Sequence, residues 1–264
     1  PTEALTFHRQ AAAQGLPAAQ LSVGVALATG MGTPKNEVEA ISWFQKAADQ
    51  GLAAAQVRLG LAHANGWGVP QNTLLAKTWL DKAAAQGDAE ARFQLGQLYA
   101  TEKNWDEALR WTRLAAEQGH PAAQRRMGQM NELGLGMPKD GAQAQRWYEQ
   151  AAEQGFAPAQ STLGSRLMRT EAGYTPDRNA ALKWNRLAAT QGDANGQNNV
   201  GLAYLNGWGV PTDHTQALYW FEKAAEQGHA DALFNLGNLY DKGHGVAQNH
   251  AKAVALYRGA AQQS

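Results

Sequence analysis

The stretch NEVEAISWFQKAADQGLAAAQVRLG runs from Asn36 to Gly60, and NTLLAKTWLDKAAAQGDAEARFQLG repeats its layout from Asn72 to Gly96. Counting from Asn36 or Asn72, each carries Ala four residues on, Trp at seven, Ala at eleven and Gly at fifteen. Offsets of 4, 7 and 11 fall on one face of a helix with 3.6 residues per turn. Asn at offset zero is a preferred N-cap, its side-chain oxygen accepting from a free N–H of the first turn. Gly at fifteen suits the left-handed residue that closes a helix. Each stretch therefore predicts a helix of about four turns, helix B, with a buried stripe of Ala, Trp and Ala.

Outward from these two copies, the layout restarts at Asn104, Asp140, Asp177, Asp213 and Asn249. The tryptophans Trp43, Trp79, Trp111, Trp147, Trp184 and Trp220 align, with Leu256 in the last copy, and are expected in the core. Gln-Gly ends at Gly15, Gly51, Gly87, Gly119, Gly155, Gly192 and Gly228, at gaps of 36, 36, 32, 36, 37 and 36 residues. Nine residues after each comes a further glycine: Gly24, Gly60, Gly96, Gly128, Gly164, Gly201 and Gly237. The segment holding it is predicted as helix A, about twelve residues long. Glycine inside a helix costs about 1 kcal/mol relative to Ala, so glycine kept at one position in every copy predicts close helix–helix contact. Gly-x-Gly turns such as Gly66/Gly68 and Gly207/Gly209 join A to B.

The expected organisation is one all-α solenoid over residues 1–264, with repeats at 15–50, 51–86, 87–118, 119–154, 155–191, 192–227 and 228–264. Residues 2–14, with Phe7 at the tryptophan position, read as a partial first repeat, so the chain is expected to extend upstream. The third repeat lacks the Gly-x-Gly turn (Ala100 to Ala108). The fifth gains a residue between Arg169 and Asp177, where Thr175-Pro176-Asp177 marks a helix start.

Composition narrows the function. Lys plus Arg and Asp plus Glu both number 23, so the net charge is zero and no basic footprint for nucleic acid is present. No apolar run approaches the ~20 residues of a membrane span. Cys is absent, which excludes a disulfide framework, a Cys-based zinc site and a thiol nucleophile. The chain starts at Pro1 without Met or a leader pattern, so any signal peptide lies outside it, and the cell envelope or secretion is favoured over the cytoplasm as its compartment. The histidines lack metal-ligand spacing, and no Gly-x-Ser-x-Gly or Ser-x-x-Lys motif accompanies Ser22, Ser161 or Ser165. Neither metal, cofactor nor catalytic residue is expected. Trp67 and Trp208 sit in Gly-flanked turns and are candidate loop anchors for a partner.

Taken together, Ala-x-x-Gln-Gly, Ala-Gln-x-x-Leu-Gly, Gly-x-Gly-Val-Pro and Ala-x-x-Trp resemble the Sel1-like repeat family, α/α solenoid relatives of tetratricopeptide repeats. The resemblance covers essentially the whole chain. It implies a right-handed superhelix of about seven repeats plus one partial repeat, with the A helices lining the concave side. It also implies a bacterial, non-enzymatic scaffold that binds a protein or extended peptide. Two alternatives follow from the same family: an immunity protein neutralising a secreted toxin such as a phospholipase effector, and, less favoured, a β-lactam-binding or hydrolysing enzyme.

On that reading the partner-binding surface is drawn from helix A positions not used in packing. Offset seven from Gln-Gly contributes Arg58, Gln94, Arg126, Asn199 and Asn235; offset ten contributes Gln97, Gln129 and Asn238. These positions share a face and vary from copy to copy. Two clusters extend them. Arg125, Arg126, Arg166 and Arg169 are expected to clamp carboxylates. Asn195, Asn198, Asn199, Asn235 and Asn238 are expected to bond a peptide backbone, because amides both donate and accept.

Overall fold

A computed structural model describes residues 2–168 and 176–263 of the chain. The described residues form fifteen helices and no strand. The A helices are α2 (Pro17–Thr29), α4 (Ala53–Asn65), α6 (Ala89–Thr101), α8 (Pro121–Leu133), α10 (Ala157–Leu167), α12 (Ala194–Asn206) and α14 (Ala230–Lys242). The B helices are α1 (Thr2–Ala13), α3 (Glu37–Asp49), α5 (Thr73–Ala85), α7 (Trp105–Glu117), α9 (Gly141–Glu153), α11 (Arg178–Thr190), α13 (His214–Ala225) and α15 (His250–Gln262). The chain divides into two compact units, residues 1–123 and 124–264. In the first unit each helix from α1 to α7 packs on the next, and in the second the same holds from α9 to α15.

The expected caps are in place. Asn36, Asn72, Asn104, Asp140, Asp177, Asp213 and Asn249 each accept a first-turn backbone N–H with the side chain. After each B helix the Gln-Gly glycine takes a positive φ of 77–90°. The shortened third repeat replaces the Gly-x-Gly turn with Lys103, the sole non-glycine residue with positive φ among the described residues. The inserted segment 169–175, with Arg169 and Thr175, lies outside the described residues.

One expectation about the core is corrected. The aligned tryptophans are only half-buried. Full burial belongs to the next residue: Phe44, Leu80, Thr112, Tyr148, Asn185 and Phe221 are each 0–1% exposed. In the last copy Tyr257 holds this position and is half-buried. These seven side chains face the fixed glycines of the A helices, and a Cβ on any of those glycines would come within 2.6 Å of its neighbour. The tryptophans instead cover the rim of the stack, with Lys46 4.1 Å above the Trp43 ring and Lys82 4.0 Å above Trp79. Their outer edge faces water, where a cation gains from the ring's negative face.

A polar ladder joins the helices as well. Buried Gln160 donates to the Ala152 carbonyl at the end of α9 and accepts from Gln191 at the end of α11. Gln20, Gln56 and Gln197 repeat both bonds. A ladder of this kind gives C-terminal carbonyls a second donor beside the N–H of the Gln-Gly glycine. Gln160→Ala is expected to cost about 1–2 kcal/mol, because two inter-helix hydrogen bonds are lost, although the Ala152 carbonyl keeps the Gly155 N–H and the Gln191 amide keeps the Leu187 carbonyl. Thermal melting followed by circular dichroism checks this, and an unchanged melt would make the ladder incidental.

Candidate functional site

The second unit holds a groove of about 430 Å³ on its A helices. Its walls come from α8 (Gln129, Glu132), α10 (Ser161, Thr162, Ser165, Arg166), α12 (Asn195, Asn198, Asn199) and the start of α14 (His229, Asp231), with Tyr148 of α9 beneath. Of the residues expected to bind a partner, Gln129, Arg166, Asn195, Asn198 and Asn199 meet here. Asn235 stands one step behind and Asn238 beside Tyr257.

The arginine cluster differs from expectation. Arg166 forms an ion pair with Glu132 at 2.8 Å, and the Tyr148 hydroxyl donates to the other oxygen of that carboxylate at 3.0 Å. The charge of Arg166 is thus met from within the fold, so it is not the open clamp for a partner's carboxylate. Arg126 donates to Gln129 at 3.2 Å. Burial, with Arg125 beside it, lowers the pKa of the Arg126 guanidinium.

The amide ladder is also partly spent inside the protein. Asn235 donates to Asn198, and Asn199 donates to Asn185, both at 3.0 Å. Asn238 accepts from the Tyr257 hydroxyl at 2.8 Å. His229 caps α14 by accepting the Ala232 N–H through Nδ1, so the proton sits on Nε2, which donates to Asn195 Oδ1 at 3.1 Å. These bonds leave the Asn195 NH₂ and the Asn199 Oδ1 to the groove, one donor and one acceptor. Asn185, Glu132, His229 and Asp231 were missed by sequence reasoning. The signal for Asn185 was present: at its position the other copies carry Phe, Leu, Thr or Tyr.

In the first unit, Arg58 and Trp67 line a smaller cavity of about 320 Å³. Gln94 donates to Glu90 at 2.7 Å, and Gln97 is exposed on α6. His120 bonds the same carboxylate at 2.9 Å and is the main reason the pKa of Glu90 lies below its usual value. The two loop tryptophans each pack against their own unit. Trp67 lies 6.4 Å from the Phe44 ring and packs on the first core cluster. Trp208 packs against the cluster around Leu182, with the Arg178 guanidinium 5.9 Å from its ring. The cause is the adjoining glycine: Gly68 presses on the Glu37 carbonyl and Gly209 on that of Arg178, which brings each turn down onto the preceding B helix.

Comparison with known proteins agrees with this architecture. A model of the Sel1 repeat matches residues 1–16, 17–52, 53–88, 89–120, 121–156, 157–193, 194–229 and 230–264. A protective antigen of uropathogenic Escherichia coli with an SLR fold is 37% identical, with a TM-score of 0.80 over 98% of this chain. The match spans 56% of that protein's length. A Sel1 repeat protein from Oxalobacter formigenes is 35% identical, with a TM-score of 0.75 over 98% of this chain and 77% of its own. An immunity protein of Pseudomonas aeruginosa is 23% identical, with a TM-score of 0.54 over 80% of this chain and 82% of its own, a likeness of fold alone. No curated protein matches.

Proposed function

We propose that this chain, which belongs to the Sel1 repeat family, is a non-enzymatic scaffold that holds an extended stretch of a partner protein in the groove of its second unit. The lining carries the reading: a donor from Asn195 and an acceptor from Asn199 face the same space, while Arg166 and Glu132 neutralise each other. A peptide backbone offers alternating N–H and C=O groups, so it matches this donor and acceptor. Two of the groove hydroxyls are engaged with their own helix. Ser161 and Thr162 both donate to the Pro158 carbonyl, which supports binding over nucleophilic catalysis.

The test is selection of a displayed random peptide library on the whole chain and on the double variant Asn195→Ala, Asn199→Ala. One class of the peptides enriched on the native chain is expected to bind the variant about tenfold more weakly, for two lost hydrogen bonds. Equal binding of every enriched peptide by both chains, at equal helicity, would remove the groove from the function. A toxin captured from the producing cell through this groove would specify the immunity role.

A further inference from the structure

We infer that the first unit carries a separate subsite for an apolar side chain followed closely by a carboxylate on a partner peptide. It lies between α2 and α4. Its floor is Phe44, with the Trp67 ring tilted against it, and its walls include Val25, Ala28 and Leu61. A volume of about 320 Å³ is at the small end of ligand pockets, the size for one side chain rather than a folded surface.

The polar groups around this cavity leave one charge open. Thr29 donates to the Val25 carbonyl and Asn65 to the Leu61 carbonyl, both at 2.9 Å, so these side chains are bonded to their own helices. Arg58 is exposed at the rim. Its charge is felt by Glu90, but that carboxylate is hydrogen-bonded to His120 and Gln94. An apolar well beside a guanidinium fits a ligand that buries a hydrocarbon or ring and places a carboxylate on the fork of the arginine. The groove of the second unit carries the Asp231 carboxylate and an Arg166 already paired with Glu132, so the two sites select different chemistry.

The same peptide selection tests this on three chains: native, Arg58→Gln, and Ala28→Trp, which fills the cavity. Native protein is expected to enrich peptides with Phe, Leu or Trp within two positions of Asp or Glu. Arg58→Gln should weaken them about tenfold or more, the loss of a charge-assisted bond, and Ala28→Trp should abolish binding. The Asn195→Ala, Asn199→Ala chain should keep these peptides, which separates failure here from failure of the second-unit groove. Enrichment without an acidic residue, indifference to Arg58→Gln, or no enrichment at all would overturn the inference. Octanoate binding that depends on Arg58 in the absence of any such peptide would also overturn it, by making the ligand a small carboxylate.

Discussion

Phe221→Ala is expected to destabilise the second unit by about 3–5 kcal/mol, while the neighbouring Trp220→Ala costs about 1–2 kcal/mol. The larger side chain gives the smaller effect because of where each points. Phe221 is fully buried, and its ring lies where a Cβ on Gly201 would stand at 2.6 Å. Removing it opens a cavity between α12 and α13 that the rigid helices cannot close. Trp220 is half-buried at the rim, so water takes over part of its contact surface. The reciprocal change, Gly201→Leu, forces a side chain into that ring and is expected to cost about 1–3 kcal/mol despite better helix propensity. Urea unfolding followed by circular dichroism measures all three. A larger loss from Trp220→Ala than from Phe221→Ala would place the core on the wrong residue.

That contrast marks how far the sequence was legible. Helix boundaries were readable because Asn or Asp caps and Gln-Gly ends recur at fixed offsets, and local capping decides them. Offsets seven and eight lie about 100° apart on a helix, so both sit on the apolar side, and hydrophobicity alone favours Trp. The fixed glycine was the better guide, since it implies a neighbour that needs its missing side chain, but which residue faces it is a tertiary fact. The groove shows the same limit. Helix-face arithmetic placed Asn199 and Asn235 together, yet could not show that Asn185 and Asn198 accept from them. Arg166 and Glu132 are separated by nearly one repeat, a spacing at which neighbouring A helices meet, and a search for opposite charges at that separation would have found the pair.

Asn185→Leu should stabilise the protein while weakening its hold on a partner. Asn185 is 0% exposed and occupies the place taken by Leu80 or Phe221 in other repeats. Its Oδ1 accepts from Asn199, but its Nδ2 is buried without a partner. An unmet buried donor costs about 1–3 kcal/mol, and Leu has the same branched shape without that demand, a larger side chain that Leu80 shows to fit against the matching glycine Gly60. Asn199 then loses its acceptor, but it is half-exposed and can bond water, so the net gain is expected to be about 1–2 kcal/mol. That corresponds to a rise of roughly 2–8 °C in melting temperature. Asn199 is also released from the orientation that turns its Oδ1 into the groove, so peptides selected on the second unit should bind about tenfold more weakly as preorganisation is lost. Adding Asn199→Ala to Asn185→Leu should then cost little further affinity, since both changes remove the same positioned oxygen. Calorimetric titration and a thermal melt of the three chains decide it. A lower melting temperature for Asn185→Leu would mean its amide is satisfied in solution, and unchanged affinity would mean that Asn199 needs no such support.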